Sequence, residues 1–89
     1  MLNKIPIKGN IRIKKEDRGY IVFNLDTSGF HLLTKDCIVI LNACNGKNSV
    51  KDLVNKFSKT KSLKKKKLEN DLKSFLIELS KRKIIKWQA

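Results

Sequence analysis

Few side chains in this sequence are of types that do chemistry, and their spacing argues against it. His31 is the sole histidine, and the two cysteines, Cys37 and Cys44, lie seven residues apart. A metal site needs more ligands than these three, and a catalytic nucleophile needs a base held beside it. Seven residues is nearly two helical turns, about 10 Å along the axis, so the cysteines share a face but cannot bridge within one helix. They read as small buried hydrophobes. The acids Glu69, Asp71 and Glu78 stand among lysines in a helical segment and read as surface ion-pair partners. No glycine-rich phosphate loop is present. The expectation is a protein that is not an enzyme, needs no cofactor or metal, and works through its surfaces.

Charge narrows the partners. The chain has 89 residues, 40% hydrophobic and 33% charged, and carries a formal net charge of +13. That composition predicts one domain, residues 1–89, with a modest core. Such a balance favours an acidic peptide, a nucleic acid or an anionic membrane. The densest cluster is Lys64-Lys65-Lys66-Lys67, at a predicted helix start where the helix dipole disfavours cations. No apolar run approaches the roughly 20 residues of a membrane span. Met1-Leu2-Asn3-Lys4-Ile5-Pro6 lacks an apolar signal region, and the lysine run lacks an apolar-aromatic face opposite it. These observations predict a cytoplasmic protein, a monomer or weak dimer, with no membrane partner.

Periodicity supplies the elements. Ile11-Arg12-Ile13-Lys14 alternates apolar and basic, Tyr20–Leu25 places Ile21, Phe23 and Leu25 on one face, and Phe30–Leu33 is a third short strand. The turns Glu16–Gly19 and Asp26–Gly29 predict an antiparallel meander. Thr34 reads as an N-cap, opening a first helix to about Cys44 with Cys37, Ile38, Leu41 and Cys44 as its buried stripe. Asn45-Gly46 stops it. Ser49 and Asp52 form a capping box for a second helix, whose apolar face is Val50, Leu53, Val54 and Phe57. Ser58–Ser62 reads as connector. A third helix over Leu68 to about Lys83 carries Leu68, Leu72, Phe75, Leu76 and Leu79, and Ile84-Ile85-Lys86-Trp87 reads as an extended tail or strand. The fold class is α+β, winged helix-turn-helix-like: an N-terminal three-stranded antiparallel sheet followed by three helices.

In that arrangement Phe30–Leu33 is a sheet edge, with unpaired N–H and C=O groups open to another chain. Helix three alongside would make a groove in which a peptide adds as a strand.

The order and spacing of Tyr20–Leu25, Gly29–Thr34, Ile40–Gly46, Ser49–Val54 and Asp71–Leu79, with Ile84-Ile85 following, resemble the pyrroloquinoline-quinone synthesis protein D family, the precursor-peptide recognition element of ribosomally made, modified peptides. The resemblance implies a non-catalytic adaptor. It would bind the leader segment of a precursor peptide as an added strand and present it to a peptide-modifying enzyme or a leader protease. Carried onto this sequence, it implies an edge at Phe30, His31, Leu32 and Leu33. The wall would lie on helix three, at Leu72, Lys73, Leu76, Ile77 and Ser80. Lys73 would meet acidic leader residues there, and Leu76 would support an apolar anchor. The alternative is winged-helix nucleic-acid binding, with +13 supplying phosphate contacts. Against it, the second helix offers Lys51, Asn55 and Lys56 but no arginine to base edges; Arg12, Arg18 and Arg82 lie elsewhere.

Overall fold

The computed structural model describes residues 2–61 and 64–88. The elements run β1 (Ile5–Lys8), β2 (Ile11–Glu16), β3 (Gly19–Asn24), β4 (Phe30–Leu33), α1 (Lys35–Asn42), α2 (Val50–Lys61), α3 (Lys65–Lys81) and β5 (Ile85–Gln88). The three predicted strands are β2, β3 and β4, which form an antiparallel meander in that order. A single three-stranded sheet is not the whole arrangement, however. β1 precedes the meander and pairs antiparallel with β5 in a second sheet, with Pro6 opposite Trp87. Sequence reading passes over β1 because proline demotes a strand and its partner stands at the far end of the chain. Pro6 is nonetheless fully buried. Gly9 N–H donates to the Ile84 carbonyl at 2.8 Å, and a Cβ on Gly9 would lie 2.8 Å from the Lys83 carbonyl oxygen, so glycine permits this close approach.

Local chemistry sets the helix ends. Thr34 Oγ1 accepts from Cys37 N–H at 3.3 Å, opening α1. Ser49 Oγ accepts from Asp52 N–H at 3.1 Å while Asp52 Oδ2 accepts from Ser49 N–H at 3.0 Å, a complete reciprocal capping box for α2. The expected connector at Ser58–Ser62 is corrected. Ser58, Lys59, Thr60 and Lys61 continue α2, since none is a helix breaker, and Ser62 lies outside the described residues. α3 begins at Lys65 rather than Leu68, with Lys64 as an N-cap that makes no side-chain capping bond. Its end is a Schellman closure: Ile84 N–H donates to the Leu79 carbonyl at 2.9 Å and Lys83 N–H to that of Ser80 at 3.1 Å. Lys83 takes the left-handed position, φ 59°, that glycine usually fills.

One buried cluster joins these elements. Val22 brings the meander to it, Ile38, Leu41 and Cys44 the α1 segment, Val50, Leu53, Val54 and Phe57 α2, Leu68, Leu72, Leu76 and Leu79 α3, and Ile84 and Ile85 the tail. The predicted helical stripes are therefore largely the core. The two cysteines differ. Cys44 is wholly buried just beyond α1, its thiol donating to the Ile40 carbonyl at 3.4 Å, and burial pushes its pKa up to about 12. Cys37 is only half-buried. Iodoacetamide on the native protein is expected to label Cys37 and spare Cys44, read by peptide mass mapping, because the thiolate is the reactive form. Cys44→Ser should cost about 1–3 kcal/mol in chemical denaturation and Cys37→Ser less. Rapid native labelling of Cys44 would contradict its place in the core.

Candidate functional site

The meander ends in an unpaired edge. Among the described residues, β4 pairs with β3 on one side and with no strand on the other. Two bonds set the phase of the ladder: Asn24 N–H donates to the Gly29 carbonyl at 2.8 Å, and Leu25 N–H to that of Asn10 at 2.9 Å. Backbone groups alternate sides along an antiparallel strand, so Asn24, Val22 and Tyr20 direct theirs at β4. His31 and Leu33, opposite Val22 and Tyr20, bond back to β3. Phe30 and Leu32 therefore turn their N–H and C=O groups to the free edge. Their side chains stand on the outer sheet face, 63% and 73% exposed, while His31 and Leu33 face α3 and are half-buried.

Between this edge and the C-terminal half of α3 lies a cleft of about 430 Å³ lined by Phe30, His31, Leu32, Leu33, Phe75, Glu78, Leu79, Arg82 and Ile84. Its floor is apolar and its rim is charged. Arg82 Nε donates to Glu78 Oε1 at 3.1 Å, an i, i+4 pair, and Arg82 Nη1 lies 3.1 Å from His31 Nδ1. The rim thus ties the helix to the edge strand across the cleft mouth.

The structure brings Phe30, His31, Leu32 and Leu33 to this cleft but not the expected wall residues. Leu72 and Leu76 are 2% and 0% exposed, within the core. At about 100° per residue, Lys73, Ile77 and Ser80 lie on the side of α3 opposite Phe75, Glu78 and Arg82. Lys73 is engaged there with Glu69 at 3.1 Å, and that hydrogen bond holds the Glu69 carboxyl below its usual range. Ser80 Oγ donates to the Ile77 carbonyl at 2.7 Å, and Ile77 is 38% exposed. The wall is instead Phe75, Leu79 and Arg82, at spacings of four and seven. The signal for it was Phe75 at the margin of the leucine stripe.

Asn24 joins the sheet to the end of α3 behind Arg82, a cleft residue. It is 1% exposed and its amide is fully used. Nδ2 donates to the carbonyls of Arg82 at 3.0 Å and Lys83 at 3.1 Å, and Oδ1 accepts from the N–H groups of Asp26 at 2.9 Å and Thr27 at 3.2 Å. One side chain thus fastens the β3–β4 turn to the last carbonyls of α3. Nothing in local sequence patterning marked it.

The sequence profile of the coenzyme PQQ synthesis protein D (PqqD) family matches residues 19–85. The chain belongs to this family. The matched region opens with β3 and contains β4, all three helices and every residue of the cleft. Among solved structures, lasso peptide synthetase B1 complexed with the leader peptide is similar, with a TM-score of 0.72, covering 86% of this chain and 91% of that one at 14% identity. At that identity the likeness is one of fold. A search of curated protein sequences finds no significant match.

Proposed function

We propose that this protein is a non-catalytic adaptor that binds the leader segment of a ribosomally made precursor peptide by strand addition to β4, and presents it to a modifying enzyme or a leader protease. The observation that carries the reading is the pair of outward-facing backbone positions, Phe30 and Leu32, beside a cleft walled by Phe75, Leu79 and Arg82. Edge backbone groups give affinity that tolerates many sequences, and flanking side chains give selectivity. Family membership supports the reading, and so does a similarly folded protein that is complexed with a leader peptide. The peptide is acidic on this account, since the chain's charge of +13 favours it.

The winged-helix reading of the fold leaves nucleic-acid binding through α2 as the rival. Its face carries Lys51, Asn55 and Lys56, while Arg82 is held in the cleft rim. The test is fluorescence anisotropy with an acidic synthetic peptide and with duplex DNA, each across a salt series. Peptide binding is expected to persist at 200 mM salt, where apolar and backbone contacts remain, and DNA binding to collapse with the steep slope of phosphate contacts alone. Tight, sequence-dependent DNA binding without peptide binding would favour the rival. The protein incubated alone with a precursor should leave the precursor's mass unchanged.

A further inference from the structure

We propose that the cleft selects a peptide segment in which one acidic residue stands between two apolar ones, and that Arg82 is the side chain that reads the acid. This rests on strand addition to β4 and specifies what sequence the added strand carries.

The alternation of a strand does most of the work. Residues directly opposite one another on neighbouring strands point to the same face. A peptide residue opposite His31 therefore points toward α3, and its two neighbours, opposite Phe30 and Leu32, point to the outer face. The β3–β4 part of that outer face is apolar and open, and β2 adds the exposed Arg12 and Lys14 beyond it, opposite Phe23 and Ile21. Phe23 and Phe30 lie opposite one another with ring centroids 6.4 Å apart, and Ile21 lies opposite Leu32. Phe23 is 39% exposed beside the still more exposed Phe30 and Leu32. Apolar side chains on the added strand would cover this row as cross-strand neighbours.

On the α3 side the residue opposite His31 meets the rim. Arg82 presents five N–H donors in a planar fork. Glu78 engages Nε, and His31 lies at Nη1, which leaves Nη2 and the second Nη1 hydrogen for a carboxylate. Glu78 and His31 hold the guanidinium in place before the peptide arrives, so little side-chain freedom is lost on binding. Glu78 is an acid in the same rim, but it is outnumbered at this end of α3 by Lys81, Arg82 and Lys83. An acid at the reading position therefore meets a net positive field.

The experiment is selection of a display library of fully randomised nine-residue peptides on the full-length protein, with sequencing of the enriched pool. Expected is a shared pattern in which Asp or Glu occupies one position and apolar residues the positions on either side. On Arg82→Gln the acidic preference at that position should fall about tenfold, while the flanking apolar preference stays. Lys81→Gln removes the same charge from the same helix end outside the cleft and should leave the acidic preference intact. An apolar alternation with no fixed acid would overturn the proposal, as would an acid retained in Arg82→Gln or lost equally in Lys81→Gln. Those outcomes leave strand addition standing. A pool with no shared pattern would overturn this proposal alone, since backbone pairing tolerates many sequences, whereas selected peptides whose amide-shift changes in the protein avoid β4 would overturn strand addition and this proposal with it.

Discussion

Asn24→Asp is expected to destabilise the protein by about 3 kcal/mol or more, enough to unfold much of it if its stability lies at the low end for small domains. The change adds no bulk. It replaces the Nδ2 group, which donates to the Arg82 and Lys83 carbonyls, with an oxygen that repels both when ionised and can donate to only one of them when protonated, at a position where 1% of the residue meets solvent. Asn24→Ala removes all four bonds and leaves two carbonyls and two N–H groups to find water, so it should cost about 2–3 kcal/mol. Because the lost bonds tie the β3–β4 turn to the end of α3, surviving folded protein should also bind peptide less well. Urea titration followed by circular dichroism checks the stability. An Asn24→Asp protein as stable as the parent would show that the buried amide is not what holds the β3–β4 turn to the end of α3.

The second large effect falls on binding. Leu32→Pro should cut peptide affinity by at least tenfold while leaving the fold in place. Proline removes one N–H and restricts φ, and edge strands tolerate it where that N–H faces solvent. The phase set by the Asn24 and Leu25 bonds puts Leu32 N–H on the free edge, so no β3–β4 bond is lost. His31→Pro is the contrasting case. Its N–H points to β3, and the substitution should weaken the hairpin itself, visible as a fall in melting temperature. The expected signature is a Leu32→Pro protein with near-parental melting and peptide affinity reduced by at least tenfold, and a His31→Pro protein damaged in both. Equal peptide binding by Leu32→Pro and the parent would rule out pairing at that backbone position.

Much of this architecture was legible because short-range rules wrote it. Thr34 and Ser49 are side chains that satisfy helix N–H groups, and both cap where expected. The leucine stripe of α3 correctly marked Leu68, Leu72, Leu76 and Leu79 as buried. That success explains why the expected wall did not coincide with the cleft. A stripe reports what the core consumes but not which of its members borders a cleft: Leu72 and Leu76 are enclosed, whereas Leu79, as buried as Leu72, lines the cleft. The cleft wall runs along the stripe's margin, where half-buried Phe75 and exposed Arg82 flank Leu79, a distinction that periodicity alone does not draw. The rest depends on contacts distant in sequence. His31 and Arg82 meet across 51 positions, Asn24 reaches Lys83 across 59, and β1 finds its partner only at the chain's other end.

The central claim is that a peptide completes the sheet at β4, and amide hydrogen exchange reads it directly. In the free protein, N–H groups of Phe30 and Leu32 face solvent and should exchange fast, while those of His31 and Leu33 are already held by β3. Adding an acidic leader peptide should slow exchange at Phe30 and Leu32 by at least tenfold, with new amide-shift changes at Phe75, Leu79 and Arg82. Protection confined to residues 48–57 of the α2 region, with Phe30 and Leu32 still exchanging freely, would contradict the account.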